Sequence, residues 1–577
     1  MTESNPVLDR ALAQPFGAFV EETGLDKIVA FGDKSHRCPV YVKRTPPCSD
    51  ACPSGEDIRG INNIMRGVEE KNAGDRPEAA FRRLTDANPF PFVMGQVCPA
   101  PCQDKCNRQH RDETVSINTV EHFLGRYAID NKLSFPTPEK ESGKNVAVVG
   151  GGPAGLSCAY QLRRLGHAVT LYEANDKLGG MMRYGTLGYR VSREGLEAEI
   201  GRIVDMGLDV KTGVKIGRDI SLDELRAKHD AVFIGVGAQR GRSLPLPGAE
   251  GVPSVFDTIA FLKEFESTGA TRVGKHALVI GDGDVAMDAA RLALRIGAKA
   301  TILSGVSRAD MNCSPFEFDE ATHEGTAFAY QVGVKEVIVE NGVMTGVKAV
   351  RMIRKEKGEE GWNHPVPFFR YKEEEGSTFT IAGDSLIFSI GQGTDMTGLE
   401  AVCNGKPWLA VDHNQQVAGM EEVFGGGDAQ QIALITTAIG HGRKGAAAID
   451  RFLNGVPQPR KQRADVIGYE KLKGDYFLNS TGAKRIHKPV DRVVGNFEPF
   501  LEAIPAESAK AEAERCMSCG LCFECKQCEI FCPQEAILRH RNNPVGEVMF
   551  TLYERCVGCH ICAELCPTGY IDMGMGE

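Results

Sequence analysis

No apolar run in the 577 residues approaches the ~20 needed to cross a membrane as a helix, so the sequence predicts no membrane insertion. The start, Met1-Thr-Glu-Ser-Asn-Pro6, lacks the basic and apolar stretches of a signal peptide, and the expected location is the cytoplasm. Positive charge is not in excess. Lys and Arg total 67 against 77 Asp and Glu, a formal charge of −10, which argues against nucleic acid as a general partner. Cysteine is nearly missing from the middle, where only Cys158, Cys313 and Cys403 occur between residues 107 and 515. The rest of the 19 fall in two packets, six before residue 107 and ten after residue 515. A reducing compartment disfavours disulfides, and such clustering points to metal binding.

The last packet is the most specific signal in the chain. Cys522-x-x-Cys525-x-x-Cys528-x-x-x-Cys532-Pro533 is restated as Cys556-x-x-Cys559-x-x-Cys562-x-x-x-Cys566-Pro567. This is the spacing of two-cluster bacterial ferredoxins, in which the fourth Cys of each run crosses to the other cluster. Cys522, Cys525, Cys528 and Cys566 are therefore expected to hold one 4Fe-4S cluster, and Cys556, Cys559, Cys562 and Cys532 a second. Cys516 and Cys519 continue the x-x rhythm upstream, but only the register ending at Cys532-Pro533 supplies the longer step. They read as spare or regulatory. In the first packet, Pro47-Cys48-x-x-x-Cys52-Pro53 precedes Cys98-x-x-x-Cys102-x-x-x-Cys106. These spacings suit a cluster and fit zinc poorly. Segments such as 58–70 and 77–84 carry apolar residues at helical spacing.

Between the packets lie two dinucleotide fingerprints. The apolar run at Val146 enters Gly150-x-Gly152-x-x-Gly155 and leaves through an apolar helical stretch; a second run, Ala168–Tyr172, ends in Glu173, placed for a ribose hydroxyl. Ala231–Ile234 runs into Gly235-Val-Gly237, where such folds approach a cofactor. Further on, a strand-like run from Lys275 opens Gly281-x-Gly283-x-x-Ala286, with Ala300–Leu303 as the next strand. The first fold resumes near Asp384–Gln392 and closes at Val423–Ala429. A fold completed by two separated segments assigns FAD to the first loop and the nicotinamide coenzyme to the inserted second. No redox Cys-x-x-Cys lies in the flavin domain, so thiol–disulfide chemistry is not expected.

The expected architecture is multidomain. Residues 1–140 form a helical Fe-S domain, 141–250 with 381–455 a Rossmann-like α/β FAD domain, and 251–380 an inserted Rossmann-like α/β NAD(P) domain. Residues 456–510 are a linker, and 511–577 an α+β ferredoxin-like domain with two 4Fe-4S clusters. The linker mixes Pro, Gly and charge and is locally basic at Arg460-Lys-Gln-Arg463 and Lys484-Arg485. It reads as a solvated connection packed on the body, with a docking patch for an acidic partner as the alternative.

Arg37-Cys38, Cys48-x-x-x-Cys52-Pro53, Asn88-Pro-Phe-Pro91 and Val97-Cys98-Pro-Ala-Pro-Cys102 resemble the N-terminal domain of the glutamate synthase small subunit. The flavin half of dihydropyrimidine dehydrogenase shares that domain, and the resemblance continues to about residue 455. It implies two further 4Fe-4S clusters, up to four in all. One would take Cys52, Cys98, Cys102 and Glu121, the last from the segment Val115–Glu121. The other would take Cys48, Cys106 and Cys38. Here the chain departs from the family, which has Cys-x-x-Cys where this sequence reads Cys38-Pro-Val-Tyr41. A group such as His36 fills the gap, the cluster has three irons, or it is missing. The resemblance also implies that Gly180 and Arg183, in the turn Leu178–Gly185, meet the flavin, and that Gly427-Asp428 meets its ribityl and phosphate. The family places an arginine pair after the second strand of the coenzyme fold to grip a 2′-phosphate. Ser304-Gly-Val-Ser-Arg308 leaves only Arg308, and Asp282 and Asp284 add negative charge to the loop, so NADH is expected to be preferred to NADPH.

A nicotinamide gives two electrons together and a cluster takes one, and a flavin between them does both. No side chain is needed as nucleophile or acid; catalysis is cofactor placement. The reading is an NAD(P)H oxidoreductase exchanging electrons with a protein partner. The chain has neither the amidotransferase of glutamate synthase nor the pyrimidine-reducing half of dihydropyrimidine dehydrogenase. Its ferredoxin tail and arrangement resemble the DsrL-type iron–sulfur flavoproteins, which partner dissimilatory sulfite reductase. That resemblance implies sulfur oxidation linked to NAD⁺, and a homodimer. The alternatives are a general reductase feeding ferredoxin or another enzyme, and a non-enzymatic electron-transfer subunit with a vestigial nicotinamide site.

Overall fold

The computed structural model describes residues 36–460, 463–489, 492, 495–539 and 549–575. The start of the chain and two residues of the basic run, Lys461 and Gln462, lie outside them. Among the described residues no helix is long and apolar enough to cross a membrane.

The helical domain is built on Ile58–Met65, Arg76–Thr85, Pro91–Val97 and Ile117–Asp130. Asp57 and Asp75 accept hydrogen bonds from the Gly60 and Glu78 amides, each at 3.0 Å, and so define two helix starts. The core of this domain, Ile64, Leu84, Val120 and Leu124, is shared with Ala509 and Ala513 of the helix Ala506–Glu514. The entry to the last cysteine packet is thus packed on the N-terminal domain. Glu199 of the next domain, fully buried, accepts the Phe92 and Val93 amides at 2.7 and 3.1 Å and caps the helix Pro91–Val97.

The flavin-type domain is a five-stranded parallel sheet in the order Val423–Gly425, Ala231–Ile234, Asn145–Val149, Ala168–Tyr172, Asp209–Lys211. Val146, Ala147, Val148 and Val149 and the whole of Ala231–Ile234 are apolar and buried, the composition of a parallel sheet covered on both faces. Helix Ile435–Leu453 runs against helix Pro153–Arg164 so closely that a Cβ on Gly442 would lie 2.1 Å from the Ala154 carbonyl oxygen.

The inserted domain has a second five-stranded sheet, ordered Ala327–Tyr330, Lys299–Ser304, His276–Ile280, Ser385–Phe388, Val255–Asp257. This corrects the expected return to the flavin domain at residue 381. Ser385–Phe388 pairs in parallel with Ala277–Ile280 and with Val255–Asp257, inside the inserted sheet. The chain crosses back afterwards, where Gln392–Gly393 pairs antiparallel with Arg240–Gly241. A four-residue buried apolar strand suits either parallel sheet, and only its register decides which.

The ferredoxin-like domain carries a short hairpin, Ile537–Arg539 with Met549–Thr551, and its last strand, Ile571–Met575, pairs antiparallel with Arg37–Tyr41. The expected helical domain therefore lends its first described strand to the other end of the chain, and the two strands form a two-stranded sheet of their own. Arg44 secures the join: it is buried, donates to the Gly569 carbonyl at 2.9 Å and pairs with Asp572. The expected linker is also corrected. Ile467, Leu472, Phe477, Phe500, Leu501 and Ile504 are buried while much of the chain between them is exposed, so the segment lies on the body anchored by these side chains and is more than a plain connection.

The two dinucleotide domains are locked by buried charge. Arg190, from the flavin side, pairs with Asp288 at 2.7 Å and with Glu317, and Arg291 beside them is fully buried against Glu324 at 2.6 Å. Removing one partner from such a network leaves carboxylates buried without a cation. Burial already pushes the Glu317 carboxyl up to about 7. A carboxyl raised in the folded state binds protons that the unfolded chain releases, so its contribution to stability falls as pH rises. Arg190→Met is expected to cost about 3–5 kcal/mol at neutral pH. Urea denaturation should show the deficit against the unsubstituted protein widening from pH 6 to pH 8.

Candidate functional site

The first glycine loop is shaped by contacts that only hydrogen allows. Gly150 has φ of 102°, and a Cβ there would sit 2.4 Å from the Gly235 carbonyl oxygen; on Gly155 it would sit 1.8 Å from that of Gly150. Gly180, at φ of 50°, brings its turn to within 2.7 Å of the Gly152 Cα, measured from its missing Cβ. Glu173 is buried and accepts the Gly151 amide at 2.7 Å, with the Asn175 amide on its other oxygen at 2.8 Å. Gly150, Gly152, Glu173, Gly180, Gly237 and Asp428 line one cavity of about 350 Å³. Asp428 accepts the Ala433 amide at 3.1 Å, and burial pushes its carboxyl up to about 6. Gly427, at φ of 70°, donates its amide to His441 Nδ1 at 3.1 Å. Bare backbone beside a helix start, with an acid at the strand end, fits a dinucleotide.

Arg183 is a correction. Its side chain is buried in a brace, donating to the Leu178 carbonyl at 2.5 Å and to Glu197 at 2.7 Å, and it does not line the cavity. It holds the Gly179-Gly180 turn from behind.

The second loop repeats the geometry. Gly281 has φ of 133° and abuts the Ser389 carbonyl oxygen, 2.1 Å from where a Cβ would stand; Ala286 is fully buried; and Gly283 faces open space. Asp282 accepts from Asn312 at 3.1 Å, and Asp284 accepts the Ser314 amide at 2.7 Å. Arg308 lies over the Phe318 ring, 3.4 Å from its centre. Nearby, Arg354 and Arg370 both pair with Asp310.

A second cavity of about 620 Å³ joins these parts. Met181, Asp428, Ala433 and Ile435 line both cavities, while Asp284 and Ser314 bring in the second loop and Cys98 the helical domain. Arg485 also reaches it from the expected linker. It donates to the Cys98 carbonyl at 3.1 Å and to Asn118, with its guanidinium 4.7 Å from the centre of the Phe316 ring. Nothing in the sequence distinguished Arg485 from a surface cation except the basic pair Lys484-Arg485.

Cys52, Cys98 and Cys102 are electrostatic neighbours of one another and of Glu121, as the resemblance implied. Burial, with Glu56 adding to it, pushes the Cys52 thiol up to about 12. Glu56 is a residue that sequence reasoning missed, though it stands four residues after Cys52. It shares the Asn88 side-chain amide with Glu121, at 3.0 and 2.8 Å, and burial raises both carboxyls. Cys522, Cys525, Cys528 and Cys566 ring one small cavity, and Cys532, Cys556, Cys559 and Cys562 another. Among the described residues no three His, Cys, Asp or Glu side chains converge as a single-ion site. Thiols that surround a space rather than a point fit a cluster better than zinc.

Cys38 is not brought to Cys48 and Cys106. It stands opposite Gly574 where its strand pairs with Ile571–Met575, and its thiol neighbours that of Cys556. Beside Cys48 and Cys106 the structure places Cys516 and Cys519 instead.

Comparisons with known proteins match the three regions separately. Pyridine nucleotide-disulphide oxidoreductase matches residues 144–442; dihydropyrimidine dehydrogenase domain II, 4Fe-4S cluster, matches 22–133; and 4Fe-4S dicluster domain matches 521–570. The NADPH-Fe(3+) oxidoreductase subunit beta of Geobacter sulfurreducens is 32% identical over 523 residues, covering 83% of this chain and 75% of that one. The NADP(+)-dependent formate dehydrogenase subunit beta of Moorella thermoacetica is 30% identical over 513 residues, covering 82% and 70%. The glutamate synthase (NADPH) small chain of Azospirillum brasilense is 30% identical over 477 residues, covering 78% and 94%.

The two glycine loops separate two losses. Gly155→Ala, which forces a Cβ into the Gly150 carbonyl, is expected to yield protein without bound FAD, read from its visible absorbance. Gly283→Ala meets no protein atom and should keep FAD, while weakening NAD(P)H binding by about tenfold or more in titrations, because the methyl faces the pyrophosphate position.

Proposed function

The chain belongs to the pyridine nucleotide-disulphide oxidoreductase family, is an iron–sulfur flavoprotein oxidoreductase, and, we propose, exchanges electrons between NAD(P)H at the Gly281 loop and a protein redox partner. The observation that carries this reading is the pair of joined cavities: one space touches the Gly150 loop, the Gly281 loop and Cys98. A bound flavin supplies the conversion from electron pairs to single electrons, and bound clusters supply one-electron carriers. Each NAD(P)H oxidised yields two electrons and a proton, and the partner takes the electrons one at a time.

The chain's own residues position these groups. Gly150, Gly152, Gly155, Glu173, Gly180, Gly237, Gly427 and Asp428 would hold FAD. Gly281, Gly283, Ala286 and Arg308 would hold the coenzyme. Cys52, Cys98, Cys102 and Glu121 would hold a cluster at the side of the larger cavity that Cys98 lines, and the two ferredoxin sets would hold two more. Arg485 sets a positive charge against the cavity wall at Cys98, where added electrons are stabilised by it.

Relatives named as a subunit beta or a small chain support a protein partner. So does apolar surface on the ferredoxin domain, where Ile530, Phe531, Tyr553 and Val557 are exposed. The narrower reading takes that partner to be dissimilatory sulfite reductase, with the chain as a homodimer. It rests on the ferredoxin tail and the resemblance to DsrL-type flavoproteins. A second reading, a reductase feeding ferredoxin or another oxidoreductase, is favoured by the different enzymes to which the relatives belong. We also assign NADH over NADPH. Arg308 is stacked on Phe318, Arg354 and Arg370 both turn to the single carboxylate of Asp310, and Asp282 stands in the loop. In this preference the chain departs from the NADPH of its relatives' names.

NADH is expected to bleach the flavin under anaerobic conditions, and an unreduced flavin would sink the proposal. Steady-state kcat/KM should favour NADH; a value for NADPH equal or higher overturns the coenzyme assignment. Co-purification and anaerobic reduction assays with sulfite reductase and with ferredoxin decide between the two partners, and light scattering tests the dimer.

A further inference from the structure

We propose that Cys516 and Cys519 complete the cluster begun by Cys48 and Cys106, so that one 4Fe-4S site is shared between the two ends of the chain. The inference rests on the cluster reading above and adds the ligand set that the first cysteine packet lacks.

Two short helices supply both clusters of the helical domain. Helix Pro47–Ala51 carries Cys48 and ends at Cys52; helix Pro101–Asp104 carries Cys102 and is followed by Cys106. Cys52 and Cys102 face Cys98 and Glu121, which leaves Cys48 and Cys106 as half of a second set. The Cys48 thiol has the thiols of Cys106, Cys516 and Cys519 around it, and Cys519 has those of Cys516 and Cys106. Asn107, next to Cys106, reaches the Cys519 sulfur with its side-chain amide at 3.8 Å.

The segment bearing the two thiols is clamped by the helical domain. Arg108 donates to the Arg515 carbonyl at 3.1 Å, Arg66 to the Cys516 carbonyl at 2.6 Å, and Arg59 to the Cys519 carbonyl at 2.7 Å. Between the thiols, Ser518 is held at φ of 49°, a left-handed conformation unfavourable for a side-chain-bearing residue. It is fully buried, and its hydroxyl donates to Asn63 at 2.6 Å. Strain of this kind persists only where the surroundings over-determine it. Arg59 is 7% exposed, and among the described residues its Nε has no hydrogen-bond partner. A buried cation with an unused donor suits a neighbouring group of net negative charge, as a four-thiolate cluster is.

Cys38, the candidate by resemblance, is engaged elsewhere, at Cys556. The shared site also makes the thiol sets continuous. Cys519 precedes Cys522 of the first ferredoxin set by three residues, and Cys48 precedes Cys52 of the flavin-side set by four.

The test uses the full chain. The unsubstituted protein should hold about 16 iron and 16 labile sulfide, and a C516S/C519S variant about 12, with FAD unchanged. Cys38→Ser should keep about 16. In C516S/C519S, NADH should still bleach the flavin at the original rate. The ferredoxin-type EPR signals should appear with dithionite and no longer with NADH. The dithionite signals also report that the domain is folded. Should the double variant not accumulate, Cys519→Asp, which keeps an oxygen ligand, is expected to retain iron with shifted EPR g-values, and an unshifted spectrum overturns the proposal. A full iron count in the double variant, or a loss of about four irons in Cys38→Ser, overturns the ligand assignment alone. An unsubstituted chain holding only about 12 irons overturns the four-cluster reading itself.

Discussion

Three arginines of the N-terminal helices, Arg59, Arg66 and Arg108, donate to backbone carbonyls of Arg515, Cys516 and Cys519, and the relation between the two ends of the chain depends on that seam. Arg515 returns the contact, donating to the Thr114 carbonyl at 2.8 Å and pairing with Asp112 and Glu512. Guanidinium groups suit this task because each offers several donors in a rigid plane and stays charged when buried. Strand Arg37–Tyr41 adds a second tie by pairing with Ile571–Met575. A domain held by backbone hydrogen bonds and a shared strand cannot swing freely on a linker. An electron relay needs that, since its carriers must keep fixed separations.

The dinucleotide half meets the same requirement by close packing. Glycines bring loop backbone within contact of neighbouring carbonyls at Gly150, Gly155 and Gly281, and the space left over is the cofactor cavity. The two sheets are then fixed by the Arg190, Asp288 and Glu317 network, whose members also border the larger cavity. Buried charge there ties domain orientation to the site. If the domains shifted, a buried cation or carboxylate would lose its partner, which costs far more than an exposed pair.

Some of the site was legible because its determinants are local in sequence. Gly150-x-Gly152-x-x-Gly155 lies within one strand–turn–helix, and the ferredoxin spacing places three thiols on one loop. The crossing of Cys532 and Cys566 followed from the same pattern, and the two cavities group those thiols accordingly. Other residues were out of reach. For Arg183 the family resemblance of its turn implies a flavin contact, yet its side chain turns to Leu178 and Glu197. Arg485 resembled a solvated cation and lies against Cys98. Ser385–Phe388 carries no mark of which parallel sheet it joins.

The available chemistry is written locally in the chain: two dinucleotide loops, paired ferredoxin motifs and a further packet of thiols, each encoded within a few tens of residues. Which thiols meet depends on how the folded domains pack. Cys38 goes to Cys556 because its strand pairs with the last strand of the chain, and Cys516 and Cys519 go to Cys48 and Cys106 because helix Ala506–Glu514 packs into the N-terminal core. Spacing along the chain constrains ligands on one loop, whereas ligands more than 400 residues apart are matched only by how distant surfaces pack.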